Sequence, residues 1–231
     1  MRIVIFGANG PTGRLLTGQA LEAGHDIVAF TRRPGDFPVT HDRLTTVGGD
    51  VYDPAAVDRA VAGADAVLSA LGVPFSRKPI TTYSAGVANI VAAMRRHEVR
   101  RIAVVSSSAV DPHPYADAGF LFNRVLQPFI TGVLGKTLYQ DMRAMEGLLT
   151  ATDLDWTIVR PSGLFDLPHR TDYTVAQQRA AGRFTSRTDL AACLLSLAES
   201  DRYLRTAVGV VTTTDNPGML DLLRAEAFGK S

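Results

Sequence analysis

The sequence predicts an α/β fold, a doubly wound parallel sheet with helices on both faces. Three observations predict it. Short β-branched runs alternate with helical stretches along the chain, and strands separated by helices of that length imply crossovers and parallel pairing. The run Arg101 to Ser106 has the continuous apolar centre of a strand covered on both sides. The first strand runs straight into a glycine-rich turn and a helix.

Each element follows in order. Arg2 to Phe6 is the first strand, and Pro11 to Ala23 is a helix ended by Gly24, the residue type that most easily closes a helix. Asp26 to Thr31 and Leu44 to Val47 read as the next two strands. Pro54 to Ala62 is a helix with Asp53 as its N-cap and Pro54 in its first turn. Asp65 to Ala70 is a strand, Pro79 to His97 a long helix, and Arg101 to Ser106 the next strand. Thr137 to Thr150 is a helix, Trp156 to Arg160 a strand, Thr188 to Glu199 a helix, and Ala207 to Thr212 the last strand.

Two stretches break this rhythm. In residues 111–136, Pro112, Pro114 and Pro128 frame an apolar run from Phe120 to Leu134; the other stretch is Gly163 to Arg187. Both follow strands, so both emerge as extended loops over the carboxyl edge of the sheet, where open α/β sheets bind ligands. The apolar run is either extra core or a roof over a substrate or subunit contact.

Composition bounds the rest. The 231 residues, 46% hydrophobic, suffice for one sizeable core, and a single domain over 1–231 is the economical organisation. Lys plus Arg number 24 and Asp plus Glu 23, with no basic tail, so generic nucleic-acid binding is disfavoured. The single Cys193 excludes an intrachain disulfide and reads as an inert core thiol. No secretory leader or membrane-spanning run is evident, which makes the cytoplasm the default. Nothing in the sequence sets the oligomeric state.

The strongest motif is Gly7-Ala8-Asn9-Gly10-Pro11-Thr12-Gly13, between the first strand and the first helix. Gly7 allows a tight turn, Gly10 clears the approach of a pyrophosphate to backbone, and Gly13 lets helix and sheet pack closely. The helix N-terminus then offers free N–H groups and a positive dipole end to phosphate, and Pro11 costs no hydrogen bond there. Glycines alone also mark ordinary turns; their position after an N-terminal strand points to a dinucleotide and a Rossmann-type fold. The second strand ends in Thr31-Arg32-Arg33, where a carboxylate would accept from an NAD ribose. Two guanidiniums there suit a 2′-phosphate, which selects NADP(H). Solvated surface arginines are the alternative.

Those motifs, with Gly49-Asp50-Val51, Ser69-Ala70-Leu71-Gly72, Val104-Val105-Ser106-Ser107-Ser108 and Asp155-Trp156-Thr157-Ile158-Val159-Arg160-Pro161, occur in the order of a known group. Over about residues 1–213 the chain resembles atypical short-chain dehydrogenases/reductases, nearest to NAD(P)H-binding proteins of the NmrA-like and flavin reductase (biliverdin-IXβ reductase) type. The resemblance implies that Asp50 and Val51 flank adenine. It implies that Ala70, Leu71 and Gly72 lie along the dinucleotide's middle, and that Ser106, Ser107 and Ser108 end a strand beneath the nicotinamide. Pro161, Ser162, Gly163 and Leu164 would pass the carboxamide. Asp50 as a turn cap and Gly72 as a simple turn are the plainer readings.

The chemistry is less complete. Carbonyl reductases of the main short-chain branch use Ser, Tyr and Lys, with the lysine lowering the tyrosine's pKa. Ser108 fits the serine position best, with Ser107 as alternate, but no lysine follows Tyr139, and Arg143 stands on its helical face instead. Tyr139 is thus a candidate proton donor or a packed tyrosine, and the histidine of the flavin reductase pattern falls near Met145. His113 is a candidate proton source or an exposed loop residue. His25, His41, His97, His113 and His169 lack ligand spacing, so no metal is expected. The expectation is an NADPH-dependent oxidoreductase acting on a small molecule such as a quinone, flavin or enone. A non-catalytic NADP(H)-sensing regulator of NmrA type is the alternative, and a nucleotide-sugar epimerase or dehydratase is disfavoured without Tyr-x-x-x-Lys.

Overall fold

Alternate residues of a strand point to opposite faces, and in β1 (Arg2–Phe6) both faces are apolar. Val4 and Phe6 enter one core layer, Ile3 and Ile5 the other, all fully buried. A strand with two apolar faces belongs in the middle of a sheet covered on both sides. The computed structural model describes residues 1–76, 78–111 and 135–217. The strands after β1 are β2 (Asp26–Thr31), β3 (Leu44–Gly48), β4 (Ala66–Ser69), β5 (Arg101–Val105), β6 (Asp155–Pro161), β7 (Gly163–Phe165), β8 (Tyr173–Gln177), β9 (Phe184–Ser186) and β10 (Thr206–Thr212). The helices are α1 (Pro11–Glu22), α2 (Pro54–Val61), α3 (Thr82–Arg96), α4 (Lys136–Thr150) and α5 (Arg187–Ala198).

Among the described residues the main sheet has eight strands, in the order β3-β2-β1-β4-β5-β6-β10-β8. Helices α2, α3 and α4 bury one face and α1 and α5 the other. The order reverses between β1 and β4, so the two halves wind outward from that point. Adjacent crossovers leave there on opposite faces, opening a crevice at the carboxyl ends of the strands. This is the Rossmann-type doubly wound fold expected from the sequence.

Three features depart from expectation. β8 pairs antiparallel with β10, so one edge of the sheet is mixed. The stretch 163–187 is not irregular: besides β8 it holds β7 and β9, which form a separate two-stranded parallel sheet. Each of these strands is only three to five residues long, too short to carry a periodicity. Finally, the long helix begins at Thr82 rather than Pro79. Its own Thr81 makes no side-chain cap; the cap comes from Asp141 on α4, whose carboxylate accepts from Tyr83 N at 2.8 Å and Ser84 N at 3.3 Å. A carboxylate there satisfies two of the first turn's free N–H groups and complements the helix dipole. The apolar run Phe120 to Leu134 and His113 lie outside the described residues.

Candidate functional site

The glycine loop is built by close approaches. Gly7 has a positive φ of 76°, and a Cβ there would stand 2.5 Å from the Ala70 carbonyl oxygen. A Cβ at Gly13 would collide with the Gly7 carbonyl oxygen and Ala8. Ala8 itself is fully buried beneath the loop. Gly10 differs: it is the N-cap of α1 in extended backbone (φ −74°), and a Cβ would meet only the Gly7 carbonyl oxygen, at 3.3 Å. Nothing else lies within 4 Å of that position. Pro11 follows at the first helical position, where its absent N–H is no loss. Arg14 closes the loop from behind, its Nε donating to the backbone oxygen and Oδ1 of Asn9 at 3.0 and 2.9 Å.

Above this loop lies a cleft of about 700 Å3, within the size range of ligand sites. It follows the carboxyl ends of β2, β1 and β4 and brings together most residues singled out from the sequence. Gly7, Asn9, Gly10, Pro11 and Thr12 line it, with Thr31, Arg32 and Arg33 from the end of β2, Asp50 and Val51, and Ala70, Leu71 and Gly72 after β4. Leu164 reaches it from β7. Arg32 and Arg33 are exposed; Arg33 Nε stands 3.7 Å from Asp36, which is also exposed. Asp50 does cap the next turn, accepting from Tyr52 N at 3.1 Å, yet it also lines the cleft.

Other expected residues sit elsewhere. The Ser106 hydroxyl is buried and donates to Glu146 Oε1 at 2.7 Å. Ser107 accepts from Ala109 N and starts a short 3-10 turn. Ser108 lines a second, much smaller cavity with Asp111, Arg160, Ser162 and Arg179. Ser162 N donates to the Thr185 hydroxyl, and Gly163 pairs with Phe184 in the small sheet, while Pro161 ends β6. Tyr139 is 8% exposed and belongs to the core, its ring centroid 6.2 Å from that of Phe75.

Sequence reasoning missed several participants. Glu146 and Arg160 form a buried ion pair at 2.6 Å, which Arg160 shares with Asp111 at 4.0 Å, and Arg179 meets Asp111 at 3.0 Å. The Glu146 hydrogen bonds hold the Arg160 guanidinium above its ordinary pKa against the effect of burial. Tyr52 lines the cleft and ties its hydroxyl to Thr81 and Thr82 at 3.1 and 2.9 Å. Arg187, at the start of α5, also lines the cleft; placing that helix start one residue later left it in a loop. Cys193 is fully buried, which pushes its thiol up to about 12. Among the described residues no group of His, Cys, Asp or Glu could hold a metal, and no helix is long and apolar enough to cross a membrane.

The fit to a dinucleotide is physical: open space beside Gly10, N–H groups at the start of α1, and a long cleft on both sides of the loop. The chain spans 12% of the length of an uncharacterized Mycobacterium tuberculosis protein, with 36% identity over 108 residues, 46% of this chain. Oxidoreductase stcQ of Emericella nidulans is 26% identical over 230 residues, covering 90% of this chain and 81% of that protein. A short-chain dehydrogenase/reductase of Veillonella parvula, solved in complex with NADP, superposes with a TM-score of 0.77 at 23% identity, over 94% of this chain and 99% of that one. The model of the NAD(P)H-binding family matches residues 7–201, from the first glycine of the loop to beyond α5, and the chain belongs to that family.

Proposed function

We propose that the protein is an NADPH-dependent oxidoreductase that delivers hydride to a small flat acceptor such as a quinone, a flavin or an enone. The observation that carries the cofactor choice is the cleft lip at the end of β2, where Arg32 and Arg33 stand in place of a carboxylate. They would take the 2′-phosphate in charge-assisted forks. Gly7 to Gly13 would hold the pyrophosphate on backbone N–H groups, Asp50 and Val51 would flank adenine, and Ala70 to Gly72 would carry the dinucleotide's middle. Of the residues expected at the far end, Leu164 lines the cleft, and Ser106, Ser107 and Pro161 to Gly163 do not.

When bound, the reduced nicotinamide supplies hydride, and a quinone that accepts it gains a proton from water. This chain's part is orientation and exclusion of solvent. Leu71, Val73, Val105 and Leu164 give the cleft an apolar wall. Ser108 lines the small neighbouring cavity rather than the cleft itself; in this proposal an acceptor at the Val105 end of the cleft would have to reach its hydroxyl, which would donate to the developing oxyanion. Tyr139 is core, packed against Phe75, so the proposal assigns it no proton transfer. An aldehyde's alkoxide needs a positioned acid, typically worth about a hundredfold or more in rate, whereas a quinone's weaker base does not.

Steady-state NADPH oxidation over a panel of quinones, free flavins, enones and aldehydes tests this. Turnover with quinones or flavins and little with aldehydes is expected. Tight NADPH binding with no turnover on any acceptor, together with a cofactor-dependent protein partner, would favour the regulator instead.

A further inference from the structure

Charge in the cleft is distributed unevenly. Among the described residues its lining holds three arginines, Arg32, Arg33 and Arg187, against one carboxylate, Asp50. Arg32 and Arg33 share the end of β2, so Arg187 is the cation of a different part of the cleft. The proposed ligand also carries its anions in two places, a 2′-phosphate and a pyrophosphate. Resting on that reading, we infer that Arg187 binds the pyrophosphate of the cofactor and gives up its ion pair with Asp166 to do so.

Several observations support the assignment. The other cation near the glycine loop, Arg14, is committed to the backbone and side-chain oxygens of Asn9 and does not line the cleft. Arg187 is the first residue of α5, and Ser186 caps that helix by accepting from Asp189 N at 3.0 Å. Its backbone is therefore fixed, and the positive end of the helix dipole adds to its charge. Its partner follows from strand register: Phe165 pairs with Ser186, so the next residues, Asp166 and Arg187, leave the small sheet side by side. Their ion pair is 2.8 Å long, with Arg187 at 24% and Asp166 at 80% side-chain exposure. A carboxylate so exposed contributes little to holding the pair. Exchanging it for a phosphate in the cleft gains a charge-assisted bond of the stronger kind.

Binding titrations of three probes separate this claim from the cofactor reading: NADPH, NADH and adenosine 2′-monophosphate, which lacks the pyrophosphate. For Arg187→Ala, the NADPH and NADH dissociation constants should rise together, by about tenfold or more. Affinity for adenosine 2′-monophosphate should stay unchanged. Arg187→Lys should recover part of the loss, and Asp166→Asn should bind NADPH at least as tightly as the unmodified protein. Unchanged NADPH and NADH affinity in a folded Arg187→Ala would overturn the inference while leaving the cofactor reading intact. Failure of the unmodified protein to bind either dinucleotide would overturn both.

Discussion

Glu146 on α4 and Arg160 on β6 are joined by a two-pronged contact, Nε to Oε1 at 3.0 Å and Nη2 to Oε2 at 2.6 Å, with the Ser106 hydroxyl on the same carboxylate. The pair ties helix, strand and the end of β5 together beneath the carboxyl edge, at 10% and 15% side-chain exposure. Removing Glu146 leaves the mostly buried Arg160 with its longer 4.0 Å contact to Asp111, and breaking one side of a buried pair typically costs about 3–5 kcal/mol. Glu146→Ala should therefore lower the unfolding free energy by about 3 kcal/mol in urea melts. Adding Arg160→Met should return part of the loss, so that the double variant costs less than the sum of the two single ones. Strict additivity would show that the pair is not a unit.

Gly10 and Gly13 make a second test, because their missing side chains serve different ends. Gly10→Val places its side chain in the cleft and should abolish dinucleotide binding while leaving the thermal midpoint nearly unchanged. Gly13→Val drives a side chain into Gly7 and Ala8 and should destabilise the fold itself. A folded Gly10→Val that bound NADPH normally would remove the cradle from the loop.

The loop was legible because its parts are adjacent in sequence: strand, three glycines, helix. The sheet was legible from β1 to β6 because most of these strands carry their own apolar run; β3, with two threonines at its centre and no buried residue, is the exception. Contacts between distant residues were not. Nothing local to Thr81 announces that Asp141 caps α3, and nothing local to Ser106 announces Glu146. β7, β8 and β9 are legible only through their partners, since β8 exists by pairing with β10 and β7 by pairing with β9. In the site, most of the glycine loop, the end of β2 and the residues just after β4 were found, while Tyr52, Val73, Pro74 and Arg187, which belong to no local motif, were not.

Asp189 should contribute to the acid limit of stability through the start of α5. It is fully buried, and burial alone would raise its carboxyl, but Thr171 N, the hydroxyls of Thr212 and Thr171, and Ser186 outweigh this and hold it below the usual carboxylate range. A depressed carboxylate stabilises the fold above its unfolded pKa, and that contribution disappears as pH falls through the lower folded value. Stability should drop below about pH 4, and Asp189→Asn should be less stable at pH 7 with a flatter acid limb in urea melts between pH 2 and 7. An acid limb as steep as in the unmodified protein would assign the effect elsewhere.

Ser108 and Tyr139 should part in turnover assays. Ser108→Ala is expected to lower quinone or flavin turnover with NADPH affinity nearly unchanged. Tyr139→Phe should change turnover little, because its ring is packed in the core. Aldehyde reduction that vanished in Tyr139→Phe would instead assign the tyrosine as proton donor.

Cofactor choice is the central claim, and the dissociation constants of NADPH and NADH measured side by side test it most directly. One charge-assisted hydrogen bond to the 2′-phosphate is worth about 1.5–3 kcal/mol. NADPH should accordingly bind at least about tenfold tighter than NADH, and replacing Arg32 and Arg33 with Ala should erase most of that difference. Equal constants for the two dinucleotides in the unmodified protein would contradict the account.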